Sequence, residues 1–208
     1  MILDLKESEI LLEKYKISHA KGHLCRDLKR LKEKSRKLKF PQVLKIMSPE
    51  ATHKTDRGLV KTGMHSEAEL VQAFYELEEK GRDFEKKEYL LQEQVNGVEF
   101  IIGGKKDASF GKIIVFGLGG VFVELMKQRA IRILPITKSE IRKMCTETKA
   151  DAFFRGYRGK KANEERLIDA IERTAKLIMN ENISELDFNP IIANEKEAVV
   201  VDARIIIE

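Results

Sequence analysis

Apolar positions along the chain recur at helical spacing, then at alternate positions, and the switch repeats to the end. Residues 5–15 read as a short amphipathic helix, and Leu24, Leu28 and Leu31 continue at helical spacing within 22–39. Residues 42–47 (Gln-Val-Leu-Lys-Ile-Met) read as a strand, 48–59 as a polar loop and 60–64 as a second strand. Ser66-Glu-Ala-Glu69 is a capping box opening a helix to about Lys80. A strand from Tyr89 leads to a turn at Asn96-Gly97, and residues 98–103 and 112–116 pair as an antiparallel hairpin. A glycine loop, Gly117-Leu-Gly-Gly120, follows. Thr137-Lys-Ser-Glu140 predicts a helix to about Thr148, and Asn163 caps one ending near Asn180, with Glu164 and Glu165 favourable in its first turn. Strands interleaved with helices and closed by a hairpin give an α+β fold.

The closing hairpin carries the clearest chemistry. Two apolar runs flank the polar turn 194–197. Symmetric folding about that turn sets Ala193 against Ala198 and Asn189 against Asp202. Residues two apart on a strand share a face, so Asp187 projects beside Asn189, with Asp202 about 5 Å away across the ladder. Phe188, Pro190, Ile192, Val199, Val201 and Ala203 fall on the opposite face, which reads as buried. The polar face offers only oxygen donors, the set preferred by a hard cation such as Mg²⁺. A solvated face with Asp187 paired to Arg204 is the competing reading.

The chain has 208 residues, enough for one domain or two small lobes, and 42% hydrophobic with 35% charged content is ordinary for a soluble globular protein. No apolar run reaches membrane-spanning length, and the N-terminus lacks the pattern of a signal peptide. Cys25 and Cys145 stand far apart without metal-ligand spacing, which reads as two reduced thiols in a cytoplasmic protein. The net charge of +5 is mild. Its densest contribution is the Lys/Arg run from Arg26 to Lys39, which could be an RNA-binding helix. That run has no interleaved aromatic residues to stack bases, and its leucine stripe favours a helix with a solvated basic outer face. Lys45 differs, because it lies inside an apolar strand and must reach solvent, an acid or an anionic ligand.

Several blocks, in order over nearly the whole chain, carry a resemblance. They are Val43-Leu-Lys-Ile-Met-Ser-Pro, His53-Lys-Thr-Asp56, Gly97-Val-Glu-Phe-Ile-Ile-Gly103, Asp107-Ala-Ser-Phe-Gly111, Phe116-Gly-Leu-Gly-Gly-Val-Phe-Val-Glu124, Arg132-Ile-Leu-Pro135, Arg158-Gly159, Glu185-Leu-Asp-Phe-Asn-Pro190 and Val201-Asp-Ala-Arg-Ile205. The set resembles the ATP-grasp subunit of ADP-forming acyl-CoA (acetyl-CoA) synthetases. The resemblance implies an ATP-grasp fold of two α+β lobes with nucleotide bound between them. Residues 1–91 would form the N-terminal lobe with Lys45 and the His53 loop, and 92–208 the C-terminal lobe with Glu99, the glycine loop and the metal hairpin. It implies conversion of acyl-CoA, ADP and phosphate to carboxylic acid, CoA and ATP, through a phosphohistidine.

Residue roles follow from the resemblance. Lys45 would hold nucleotide phosphates. Gln92, Glu93, Gln94 and Val95 would form the hinge beside adenine, mostly through backbone groups. Glu99 would bond the ribose hydroxyls, and Asp187, Asn189 and Asp202 would take Mg²⁺. Gly117, Gly119 and Gly120 would bring backbone amides to the migrating phosphoryl group, with Arg132 and Arg158 as further anion contacts. His53, whose neutral imidazole is a nucleophile near pH 7, would carry the phosphoryl group. The implied partner is a CoA-binding α subunit, in an α₂β₂ heterotetramer, with no membrane or nucleic-acid partner. Relatives differ by a glycine pair where this chain has Arg57-Gly58-Leu59, by Asp-Pro where it has Asp107-Ala-Ser, and by an acid at Gln128. The alternatives are a subunit of another ATP-grasp ligase, of the succinyl-CoA synthetase type, and a non-catalytic nucleotide- or RNA-binding module.

Overall fold

Each described helix of eight residues or more begins where the sequence supplies an oxygen for the unpaired first-turn N–H groups. In the computed structural model, which describes residues 1–48, 58–120 and 129–208, Asp4 caps α1 (Leu5–Lys14) in a reciprocal box with Glu7. Asp27 caps α2 (Leu28–Ser35) and Ser66 caps α3 (Glu67–Lys80). Thr137 caps α4 (Lys138–Glu147), and Asn163 caps α6 (Glu164–Asn180) after the single turn α5 (Asp151–Phe154). The Ser66 box forms by half: Glu69 N donates to the Ser66 hydroxyl, while the Glu69 carboxylate accepts from His65 N instead of the cap residue. No helix among the described residues is long and apolar enough to cross a membrane.

The chain divides into two units, Ala20–Gln94 and Met1–His19 with Val95–Glu208. The smaller is an antiparallel sheet ordered β1 (Gly22–Cys25), β4 (Glu88–Glu93), β2 (Gln42–Met47), β3 (Val60–Met64). Leu44 and Ile46 of β2, Tyr89 and Leu91 of β4 and Leu31, Leu70 and Leu77 of α2 and α3 form its core. The helix expected over 22–39 is therefore shorter. Residues 22–25 are an edge strand, because burial there has period two: Cys25 is buried and Leu24 is 40% exposed.

The larger unit is a sheet ordered β10 (Ala203–Ile207), β8 (Ile183–Ala193), β5 (Val98–Asp107), β6 (Gly111–Leu118), β7 (Arg129–Ile133), with β9 (Ala198–Val200) paired to β8. Helices α4 and α6 close one face over Phe100, Phe116 and Phe188. The first 19 residues belong here, unlike the expected grouping of 1–91. Leu3 N donates to Ile205 O, Ile2 bridges Ile206, and Leu12 and Ile17 enter this core. The segment Gln92–Val95 spans the division, with Gln94 the last residue of one unit and Val95 the first of the next stretch of the other.

The C-terminal hairpin has the expected register: Ala193 faces Ala198, Phe188 faces Ala203, and Asn189 N donates to Asp202 O at 3.0 Å. Its buried face is not the one expected throughout. Leu186 and Phe188 face the helices, but beyond Asn189-Pro190 the core residues are Ile191, Ala193 and Val200, and Ile192 and Val199 lie opposite. The cause is a register shift against β5 between Phe100 and Ile102, where two β8 residues oppose Ile101 and the side-chain phase inverts. Both cysteines are free and buried, and burial pushes the Cys145 thiol to about 12.

Gly97 turns the chain into β5 where a Cβ would lie 2.4 Å from the Ala193 carbonyl oxygen. A strand backbone cannot yield as a side chain can. Gly97→Ala is expected to lower stability by about 1–3 kcal/mol, the usual cost of overpacking, read as a lower urea midpoint. An unchanged midpoint would contradict that close approach.

Candidate functional site

Alternation along each strand sorts side chains between two faces. On β5, Phe100 and Ile102 enter the core, so Glu99, Ile101 and Gly103 project from the face away from the helices. Asp187 pairs with Gly103 and therefore shares that face. Asp187, Asn189, Gly103, Gly117 and Arg129 line one open depression on it. Burial pushes the Asp187 carboxyl above its usual range, the charges of Asp202 and Glu185 push it further, and Arg204 and Arg129 oppose them. The Asp202 charge therefore reaches Asp187, and Asn189 is tied by its backbone to Asp202. Arg204 pairs with Glu185 at 3.6 Å, and no ion pair with Asp187 forms among the described residues. Asp187 and Asn189 thus line the depression, and the register sets Asp202 against Asn189. No group of three or more Asp, Glu, His or Cys side chains placed to hold a metal occurs among the described residues. The donor set is all oxygen and short of a full shell, which fits Mg²⁺ that keeps waters and shares a ligand's oxygens.

Glu99 is exposed on the same face. Gly119 N donates to Glu99 O at 2.7 Å. A Cβ on Gly119 would lie 2.9 Å from the Glu99 carbonyl carbon, and one on Gly120 would lie 2.5 Å from Glu99 Oε2. Gly120 also has φ +59°, in the left-handed region. These two glycines make room for Glu99, while Gly117 belongs to β6.

In the smaller unit Lys45 is only 6% exposed, although it lies on the sheet face away from α2 and α3, paired with Leu90 and Val60. Gln92 is buried on that same face, opposite Val43. The Glu93 carboxylate accepts from Lys39 N at 3.0 Å, and Gln94 Oε1 accepts from Gly63 N at 2.6 Å. These two side chains are thus engaged within their own unit, and so are their backbone N–H groups, Glu93 N donating to Lys21 O and Gln94 N to Pro41 O, both at 2.9 Å. Half of the basic run is engaged too: Arg26 pairs with Glu88, Arg30 with Glu33, and Lys32 and Arg36 with Glu67.

One expected anion contact, Arg132, lies elsewhere. Arg132 pairs with the core residue Ile114, so it projects to the helical side, where Nε donates to Glu140 at 3.1 Å and a second nitrogen to Glu147 of α4. Its guanidinium ties β7 to α4 on the side of the sheet opposite Asp187. Arg158 sits at φ 50° on an exposed turn with its guanidinium 5.4 Å from the Tyr157 ring, and no ion pair links it to Asp187 or Glu99 among the described residues. Arg129, which the sequence reading passed over, lies on the site face opposite Gly117. His53 with its neighbours 49–57, and residues 121–128 including Glu124 and Gln128, lie outside the described residues.

A family model described as "ATP-grasp domain" matches residues 1–207. The chain is 36% identical over 212 residues to the β subunit of acetate–CoA ligase [ADP-forming] II of Pyrococcus furiosus, covering 97% of this chain and 90% of that one. It is 35% identical to acetate–CoA ligase [ADP-forming] II of Archaeoglobus fulgidus over the whole of this chain, but spans only 30% of that protein's length. Among solved structures it resembles acetyl-coenzyme A synthetase 1 of Ca. Korarchaeum cryptofilum in complex with coenzyme A and Mg-AMPPCP, its phosphohistidine segment pointing towards the nucleotide binding site. The TM-score is 0.82 at 38% identity, covering 100% of this chain and 93% of that one.

If Asp187 and Asp202 repel across the hairpin, Asp202→Asn raises the thermal midpoint in metal-free buffer, by about 2–4 °C for each kcal/mol relieved. Excess Mg²⁺ is expected to raise the wild-type midpoint more than that of the variant. Equal gains, with no difference in metal-free buffer, would put the cation elsewhere.

Proposed function

The chain belongs to the ATP-grasp family, and from that membership we propose that it is the nucleotide-handling subunit of an ADP-forming acyl-CoA synthetase. The reaction converts acyl-CoA, ADP and phosphate to carboxylic acid, CoA and ATP. The observation that supports this reading is the hairpin register that sets Asn189 against Asp202, two residues from Asp187, in a chain alike over most of its length to a protein named as a β subunit.

Each residue has a task that its surroundings support. Lys45, a cation held in the sheet of the smaller unit, binds nucleotide phosphates. Gln92 to Val95 meet adenine through backbone groups, and Glu99, with Gly119 and Gly120 leaving its carboxylate room, accepts hydrogen bonds from the ribose hydroxyls. Asp187, Asn189 and Asp202 hold Mg²⁺, which when bound neutralises phosphate charge. His53 is the phosphoryl carrier. Its imidazole nitrogen attacks the phosphorus of an acyl phosphate, the P–O bond breaks and the carboxylate leaves. A terminal oxygen of ADP then attacks the same phosphorus, the N–P bond breaks, and ATP and free histidine result. The CoA and acyl-phosphate chemistry belongs to an α subunit, in an α₂β₂ assembly.

Calorimetric titration with Mg-ADP tests the reading. Wild type is expected to bind, and Lys45→Met, similar in shape but uncharged, to bind about 10- to 100-fold more weakly, the loss of one hydrogen bond to a charged group. Wild type that binds no nucleotide would end this account.

A further inference from the structure

We propose that Arg129 is a phosphate-contacting residue of this site, facing the oxygen ligands of β8 across the open face of the larger sheet. The proposal rests on the nucleotide reading above and extends it to a residue with no assigned role.

The register decides where Arg129 points. It is paired with Gly117, and Gly117 with Ile101, both on the face that carries Asp187. Arg132, three residues on, falls on the other face and is held by Glu140 and Glu147. Arg129 is exposed and makes no ion pair with a carboxylate among the described residues. It lines the same depression as Asp187 and Asn189.

In the order β8-β5-β6-β7 the two outer strands are three spacings apart, about 14 Å. An extended arginine from β7 and a carboxylate from β8 reach toward each other without closing that span. Between them the floor is low. Gly117 has no side chain, and a Cβ added to Gly103 would meet nothing closer than Val115 at 3.6 Å. The trough therefore has oxygen donors for a divalent cation along one wall and a guanidinium along the other. A polyphosphate matches both walls, because oxygens turned away from the metal side remain anionic, and a planar guanidinium can bond two of them together.

The test is titration calorimetry of AMP, ADP and ATP against wild type, Arg129→Gln and Arg129→Lys, each with Mg²⁺ and with EDTA. Arg129→Gln should weaken ADP and ATP by about tenfold or more and leave AMP nearly unchanged, with Arg129→Lys recovering part of the loss. The loss should persist in EDTA, since the contact needs no metal. A residue that merely balances Asp187 would affect the three nucleotides alike and lower the thermal midpoint. That pattern, or unchanged ADP and ATP affinity, overturns the proposal while leaving the nucleotide reading intact. Absence of wild-type binding overturns both.

Discussion

Strand β8 must send neighbouring residues to opposite destinations, and the rest of the larger unit is arranged around that constraint. Leu186 and Phe188 go beneath the helices, and Asp187 and Asn189 go to the open face. The phase is held from both sides, by β5 through the Gly103–Asp187 and Ile102–Phe188 pairs and by β10 through Leu186–Ile205. A slip of one residue would carry both polar groups into the core and expose a fully buried phenylalanine, at a cost of several kcal/mol. The folding energy of the core is therefore what brings Asp187 and Asn189 to the open face.

The smaller unit solves the same problem with one residue. Leu44 and Ile46 fasten β2 to α2 and α3, and alternation alone delivers Lys45 to the other face. In both units the helical side carries the core, and the residues proposed to meet the nucleotide lie opposite. Glycine appears on that opposite side where bulk would intrude: Gly119 and Gly120 against Glu99, Gly103 on the trough floor.

Much of this was legible in the sequence because the signals were local. Capping residues set helix starts, and the polar turn 194–197 fixed the hairpin register that joins Asn189 to Asp202. One limit on that legibility is that hydrophobicity does not give the phase of a short strand. In Arg129-Ala-Ile-Arg-Ile, the isoleucines suggest the core face, yet Ile131 and Ile133 are 56% and 54% exposed while Ala130 is buried. That phase puts Arg129 on the open face and Arg132 on the helical side. The register shift at Asn189-Pro190 likewise moved Ile192 and Val199 off the expected core face, and it depends on β5, which no local pattern reveals. The pairing of residues 1–3 with the last strand is the longest-range contact in the chain and left no mark in composition.

The most direct test of a phosphoryl-carrying nucleotide subunit is chemical. The purified chain would be incubated with γ-labelled ATP and Mg²⁺, alongside His53→Ala and Asp202→Ala, and the acid and base stability of any label measured. The account predicts an acid-labile, base-stable label on wild type that both substitutions abolish. A label that survives in His53→Ala, or none on wild type, would contradict it.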